Sequence, residues 1–308
     1  MPLASRFLRL AGLSALFTAA GLPFPGCTGS GVNNPPVKGP TVEETVQQKF
    51  DGVPAEKPAE KEFTNSIGMK LILVEPGSFK MGWPDGPKLS PMDYEQFGGP
   101  VQPVTLTHPY YLGQTEVTQE QFEKVMGKNP SHFQKGKETE RPDIDHGKLP
   151  VENVSWEAAR EFCAKLSALP DEQAAGRVYT LPTEAQWEYA SHAGADTNYA
   201  MGDKLDPEYA VTAESQPGGT LPVASRKPNA WGFYDMHGNV WEWCLDGRRK
   251  LADTPVTDPT TANETGKERM VRGGSFRQPD IYARSNFRNY YPKESGPFDY
   301  GFRVAIQR

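Results

Sequence analysis

Apolar residues in this chain come in short runs, separated by glycine, proline and polar positions. Lys70-Leu-Ile-Leu-Val74 reads as a strand ended by Pro76-Gly77, and Ser78 to Gly82 continues as a second short strand. Val101 to Leu112, with Thr105, Thr107, Tyr110 and Tyr111, is another extended stretch. Three helices follow. Thr118 and Gln121 form a capping box, and Gly127 ends that helix. Ser155 caps a second helix, on which Ala159, Phe162, Cys163 and Leu166 fall on one face. Thr183 and Gln186 form another capping box, leading into Trp187, Tyr189 and Ala190. Beyond Ala195 the pattern is loops and short strands, with Arg269 to Phe276 and Gly301 to Ile306 expected as the last paired strands.

Composition agrees with a loop-rich globular fold. Among 308 residues there are 30 Gly, 29 Pro and six Trp, too much turn chemistry for a helical bundle and enough aromatic surface for a core. The net charge of -6 comes with no basic stripe, which argues against a nucleic-acid partner.

The amino terminus has the pattern of an export signal over residues 1–27. Arg6 and Arg9 precede an apolar run, Leu10 to Leu22, that is too short to span a bilayer as a helix. Gly26 is the small residue that a bacterial lipoprotein signal places before its cysteine, here Cys27, whereas Phe24 and Pro25 depart from that pattern. Lipidation of Cys27, giving a membrane tether, and conventional cleavage both stay open. Either way the expectation is an exported protein, periplasmic or at the cell surface. Residues 28–61 are rich in Pro, Gly, Glu and Lys with few aromatics, and read as a disordered linker to a domain over 62–308. Of the three cysteines, Cys163 and Cys244 read as small buried residues.

The densest chemistry lies in Asn229 to Trp243. Asp235 and Glu242 flank Gly238-Asn239, two residue types that tolerate left-handed backbone. Such a turn can aim two carboxylates and main-chain carbonyls at a hard cation, or can simply bond its acids to backbone amides. The five histidines show no H-x-H or H-x-x-x-H spacing, and His237 is expected to face solvent or cap backbone. No Gly-x-Ser-x-Gly elbow, phosphate loop or dinucleotide fingerprint is present.

Seven segments, in order, resemble the formylglycine-generating enzyme (sulfatase-modifying factor) family: Met69 to Gly82, Tyr111 to Phe122, Leu149 to Cys163, Leu181 to Ala190, Asn229 to Trp243, Arg272 to Phe276 and Tyr300 to Val304. The resemblance implies one compact α+β domain of C-type-lectin-like topology, low in regular secondary structure. It also implies one calcium site, with side-chain oxygens from Asp235 and Glu242 and carbonyls from Gly238 and Val240. A second family calcium site, near residues 208–220, has no matching pattern. Enzymes of the family oxidise a substrate cysteine with two cysteines of their own, which bind copper as thiolates. Those positions fall here on Gln278 and on Ala283 or Arg284, and no cysteine follows Cys244. Copper is therefore not expected, and no catalytic residue is assigned. The reading is a family member that binds an unidentified peptide, protein or glycan in a groove around Trp241, Ser275, Tyr282, Arg284 and Arg288. The alternatives are a formylglycine-generating oxidase and an oxidase with a different metal centre.

Overall fold

The computed structural model describes residues 60–83, 99–137, 139–215, 218–262 and 266–308. The expected signal, Cys27 and the linker as far as residue 59 lie outside them. Short strands predominate. They are β1 (Glu62–Thr64), β2 (Lys70–Val74), β3 (Gly77–Met81), β4 (Gln102–Leu106), β5 (Tyr110–Gly113), β6 (Tyr179–Thr180), β7 (Trp241–Gly247), β8 (Val256–Thr257), β9 (Glu268–Arg272), β10 (Asn289–Pro292), β11 (Tyr300–Gly301) and β12 (Ala305–Gln307). The helices are α1 (Gln119–Met126), α2 (Trp156–Ser167), α3 (Pro170–Ala174) and α4 (Glu184–His192). No helix among the described residues is long and apolar enough to cross a membrane.

The local signals formed where they were expected. Both capping boxes close, Thr118 with Gln121 on α1 and Thr183 with Gln186 on α4, and Ser155 caps α2 through the Ala158 amide. Gly127 ends α1 in the left-handed conformation, at φ 71°.

The strands form three sheets, ordered β1-β2-β5-β12-β6, β10-β9-β7-β11 and β3-β4-β8. The last two extended segments both pair, in different sheets, and the second of them splits into β11 and β12. β9 lies between β7 and β10, whereas β12 inserts antiparallel between β5 and β6. Inserting β12 there lets Ala305 and Ile306 be buried in a central position.

α1 and α2 pack through Phe122 and Phe162, stacked at 5.5 Å, with Phe302 edge-on to both. α4 is buried on nearly every side, including two acids, Glu184 and Glu188. A buried charge is tolerated only when paired. Arg288 grips Glu184 through two bonds of 2.7 and 2.8 Å, and Arg272 pairs with Glu188. α4 is thus tied to the chain on both sides of the Gly273-Gly274-Ser275 turn.

Candidate functional site

Asn229 anchors the 229–243 turn to α4. Its side chain donates to Ala190 O at 2.8 Å and accepts the Trp231 and Phe233 amides. Asp235 (φ 59°), Gly238 (φ 104°) and Asn239 (φ 63°) then take left-handed backbone, so the chain doubles back as the sequence led us to expect. Gly238 is required twice over. A Cβ there would meet Val211 O at 2.1 Å, because Val211 bridges the turn: its amide donates to His237 O and its carbonyl accepts from Asn239.

The two acids of the turn have different fates. Asp235 is buried. Its Oδ2 accepts the Ala224 amide at 2.8 Å, while Oδ1 has no partner. Burial pushes its carboxyl up to about 6, with Glu242 adding to the rise and Arg303 opposing it. Glu242 accepts three side-chain bonds. Arg303 donates to both of its oxygens at 2.6 Å, and Trp187 Nε1 donates to Oε2 at 2.8 Å. Arg303 also donates to the carbonyls of Gly113, Gln114 and Tyr234, joining the turn to the end of β5.

A third acid faces this turn and was not singled out from the sequence. Glu116 is completely buried, accepting the Val240 amide at 3.1 Å and Asn239 Nδ2 at 2.7 Å. Burial raises its carboxyl well above the usual range, and the charges of Asp235 and Glu242 raise it further. Its partners lie more than 120 residues along the chain, so no local pattern marks it. Its setting between a strand and the Thr118 cap is the one visible cue.

His237 caps backbone and does not face solvent. The Ala200 amide donates to Nε2 at 3.2 Å, so Nδ1 carries the proton and donates to Ala283 O at 2.8 Å. Burial depresses its pKa to about 4, and the ring is neutral.

The expected groove is largely interior. Gly273 and Gly274 turn at φ 92° and 73°, and a Cβ on Gly274 would come within 2.9 Å of Tyr282 C. Ser275 is buried with Oγ donating to Asp299 at 2.9 Å. Trp241 is buried against Phe287 and Tyr300. Arg288 is the counter-ion of Glu184. For these three the groove expectation is corrected: packing and ion pairing use up the groups that would have met a ligand. Tyr282 and Arg284 remain half-buried. Tyr282 packs on Phe287, and the Arg284 guanidinium lies 4.3 Å from the Trp83 ring centre. Glu152, also not singled out from the sequence, is completely buried below this region. Its Oε1 accepts the Phe133 amide and its Oε2 has no partner; burial pushes it up to about 7.

No cysteine lies in the segment that follows the Gly-Gly-Ser turn. Gln278 is half-buried and Ala283 buried. Cys163 and Cys244 are unpaired and buried, as expected from the sequence. Burial pushes the Cys163 thiol up to about 12 and Cys244 well above the usual thiol range. Among the described residues no three His, Cys, Asp or Glu side chains converge on a metal position. Any cation at the turn therefore depends on main-chain carbonyls as well.

Residues 56–308 match the sulfatase-modifying factor enzyme 1-like domain. The chain belongs to this family. It is 36% identical over 175 residues to the formylglycine-generating enzyme of Streptomyces coelicolor, covering 51% of this chain and 52% of that protein. It is 32% identical over 289 residues to the chaperone protein LppX of Paenibacillus barcinonensis, covering 78% of this chain and 90% of that one. Among solved structures it resembles Treponema denticola variable protein 1, with a TM-score of 0.68 and 29% identity over 82% of this chain and all of that one. The α+β fold is thus that of formylglycine-generating enzyme relatives. The chain spans about half the length of the formylglycine-generating enzymes it matches.

Proposed function

We propose that this family member binds a peptide segment of another protein and does not generate formylglycine. The observation that carries the reading is the chemistry at the family's copper position. Gln278, Ala283 and Arg284 supply no thiolate, and Cys163 and Cys244 are held as buried neutral thiols. Cu(I) is retained by soft sulfur ligands. These residues do not fit it, and no cysteine is placed to form a mixed disulfide with substrate. The half-buried Tyr282 and Arg284, beside the Gly-Gly-Ser turn, are the groups left to meet a ligand. Similarity to a protein named as a chaperone, over 90% of its length, favours a peptide over a glycan. An exported location, with Cys27 as the tether, belongs to the same proposal.

Calcium is the proposed structural ion of the 229–243 turn. The buried, partnerless Oδ1 of Asp235 fits a hard cation, as does the excess of buried carboxylate around it. Asp235 and the carbonyls of Gly238 and Val240 would hold it, with Glu242 beside them. The ion supplies positive charge and cross-links the turn, while the chain's own contribution is the turn geometry fixed by Asn229, Gly238 and Val211.

Competition with a Cu(I)-specific chelator tests the copper half. The protein should leave the copper with the chelator. Stoichiometric retention of Cu(I) would overturn the reading. Fluorescence anisotropy with a library of unstructured peptides tests the binding half. Saturable binding that is weakened by Arg284→Ala supports it, and glycan binding with no peptide binding contradicts it.

A further inference from the structure

A cluster of aromatic rings packs beside the Gly-Gly-Ser turn, separate from the larger cores. Phe133 meets Phe276 edge-on at 5.3 Å, and Phe298 packs against both. Two buried acids adjoin these rings. Asp299 follows Phe298 in the chain, and Glu152 holds the Phe133 amide. Buried carboxylates are costly unless a positive charge joins them. The cations that face these two reach in from solvent. Exposed Lys137 is the one that favours ionised Glu152, whose Oε2 has no partner. Arg277 Nη1 stands 3.9 Å from Asp299 Oδ1, beyond hydrogen-bond reach, on a side chain that is 47% exposed. The carboxylate itself is held firmly. Ser275 Oγ donates to Asp299 Oδ2 at 2.9 Å and accepts the Arg277 amide at 3.4 Å. The Arg277 guanidinium also lies 4.3 Å from the Phe298 ring centre. A fixed acid on one side and a ring face on the other is an arrangement that takes up cationic side chains. Arg277 fills it loosely, since a half-exposed ion pair contributes little.

We propose that Asp299 and the Phe298 ring form a seat for a lysine or arginine side chain of the bound peptide, and that Arg277 occupies this seat until the peptide displaces it. This rests on the peptide reading above. Ring faces suit an organic cation and offer a metal ion no oxygen ligands. The seat adjoins the half-buried residues already assigned to the ligand: Ser275 bonds Asp299, and the backbone of the preceding Gly274 abuts Tyr282. One extended peptide can therefore reach both. Glu152 adds negative charge behind the seat, and the displaced Arg277 turns out to solvent.

The test uses the full-length protein and two matched sets of fluorescein-labelled unstructured peptides. One set carries lysine and arginine at its variable positions, and the other carries norleucine and citrulline there. Anisotropy should show the charged set binding wild type about tenfold or more tighter than the neutral set. Asp299→Asn should abolish that preference and still bind the neutral set. Arg277→Ala should tighten the charged set by about threefold or more and leave the neutral set unchanged. Lys165→Ala removes an exposed charge on α2, where Lys165 pairs with Glu161, and controls for the change in net charge; it should alter neither. Circular dichroism checks each fold. If D299N does not fold, Phe298→Leu takes its place and should reduce the preference by about threefold or more. Equal binding of the two sets by wild type overturns the inference and leaves the peptide reading standing. So does a preference unchanged in folded D299N, or R277A tightening no more than K165A. Absence of binding of either set by folded wild type and folded R277A overturns the peptide reading and this inference with it.

Discussion

Replacing Arg303 with Met should be among the most damaging single changes in this domain. Arg303 is completely buried and makes five bonds, two to Glu242 and three to the carbonyls of Gly113, Gln114 and Tyr234. Methionine fills much of the same space, so the loss is electrostatic and not a cavity. Glu242 is left as a buried charge whose one remaining side-chain donor is Trp187. Breaking a buried pair in this way costs about 3–5 kcal/mol, a large share of a stability of roughly 5–15 kcal/mol. For a domain of this size that is a fall in melting temperature of about 6–20 °C. Urea unfolding of wild type and R303M, both in excess chelator so that ion binding does not add to stability, gives the difference directly. The double variant R303M with Glu242→Met should recover much of the loss, because no lone charge then remains. A loss below about 1 kcal/mol in R303M would show that the pair is not the desolvated unit described here.

Three other outcomes follow from the same geometry. His237 is neutral in the fold, with a pKa lowered to about 4, so the unfolded chain takes up its proton first as pH falls. The stability it contributes is complete above about pH 6.5 and lost towards pH 4, about 2 kcal/mol of it by pH 5; the stability gap between wild type and His237→Gln, measured by urea unfolding, should shrink from pH 7 to pH 5. Glu152 runs the other way: its pKa is raised to about 7, so its contribution is present below about pH 4.5 and lost as pH rises through 7, and Glu152→Gln should gain on wild type between pH 5 and pH 8. Gly238→Ala combines left-handed strain with a Cβ 2.1 Å from Val211 O and should cost at least about 2 kcal/mol in thermal unfolding, against little change for Gly127→Asn, where the backbone is left-handed but nothing lies within 4 Å.

What could be read from the sequence was what is decided locally. Thr118, Ser155 and Thr183 cap helices because their partners lie three residues away, and Gly238-Asn239 turns because of its own backbone freedom. The partner of a strand is decided at a distance. Nothing near Ala305 marks it for a place between β5 and β6, and nothing near Glu268 assigns β9 to the sheet of β7. The same limit governed the site. Glu116 meets Val240 from 124 residues away, and Arg288 meets Glu184 from 104, so that acid went unnoticed and that arginine was assigned to a ligand. Trp241 looked like a ligand anchor because burial of an aromatic cannot be told from exposure by residue type. The missing thiols were legible because the chemistry needs sulfur, and no fold can supply it where the chain has none.

The measurement that bears most directly on the central claim is conversion of a sulfatase-motif cysteine peptide by the full-length protein supplied with Cu(I) and oxygen. Mass spectrometry follows the cysteine, with an active formylglycine-generating enzyme run in parallel. The account predicts that the cysteine is recovered unchanged while the parallel enzyme converts it. Appearance of the aldehyde with this protein would contradict the account and mean that groups other than thiolates hold the metal.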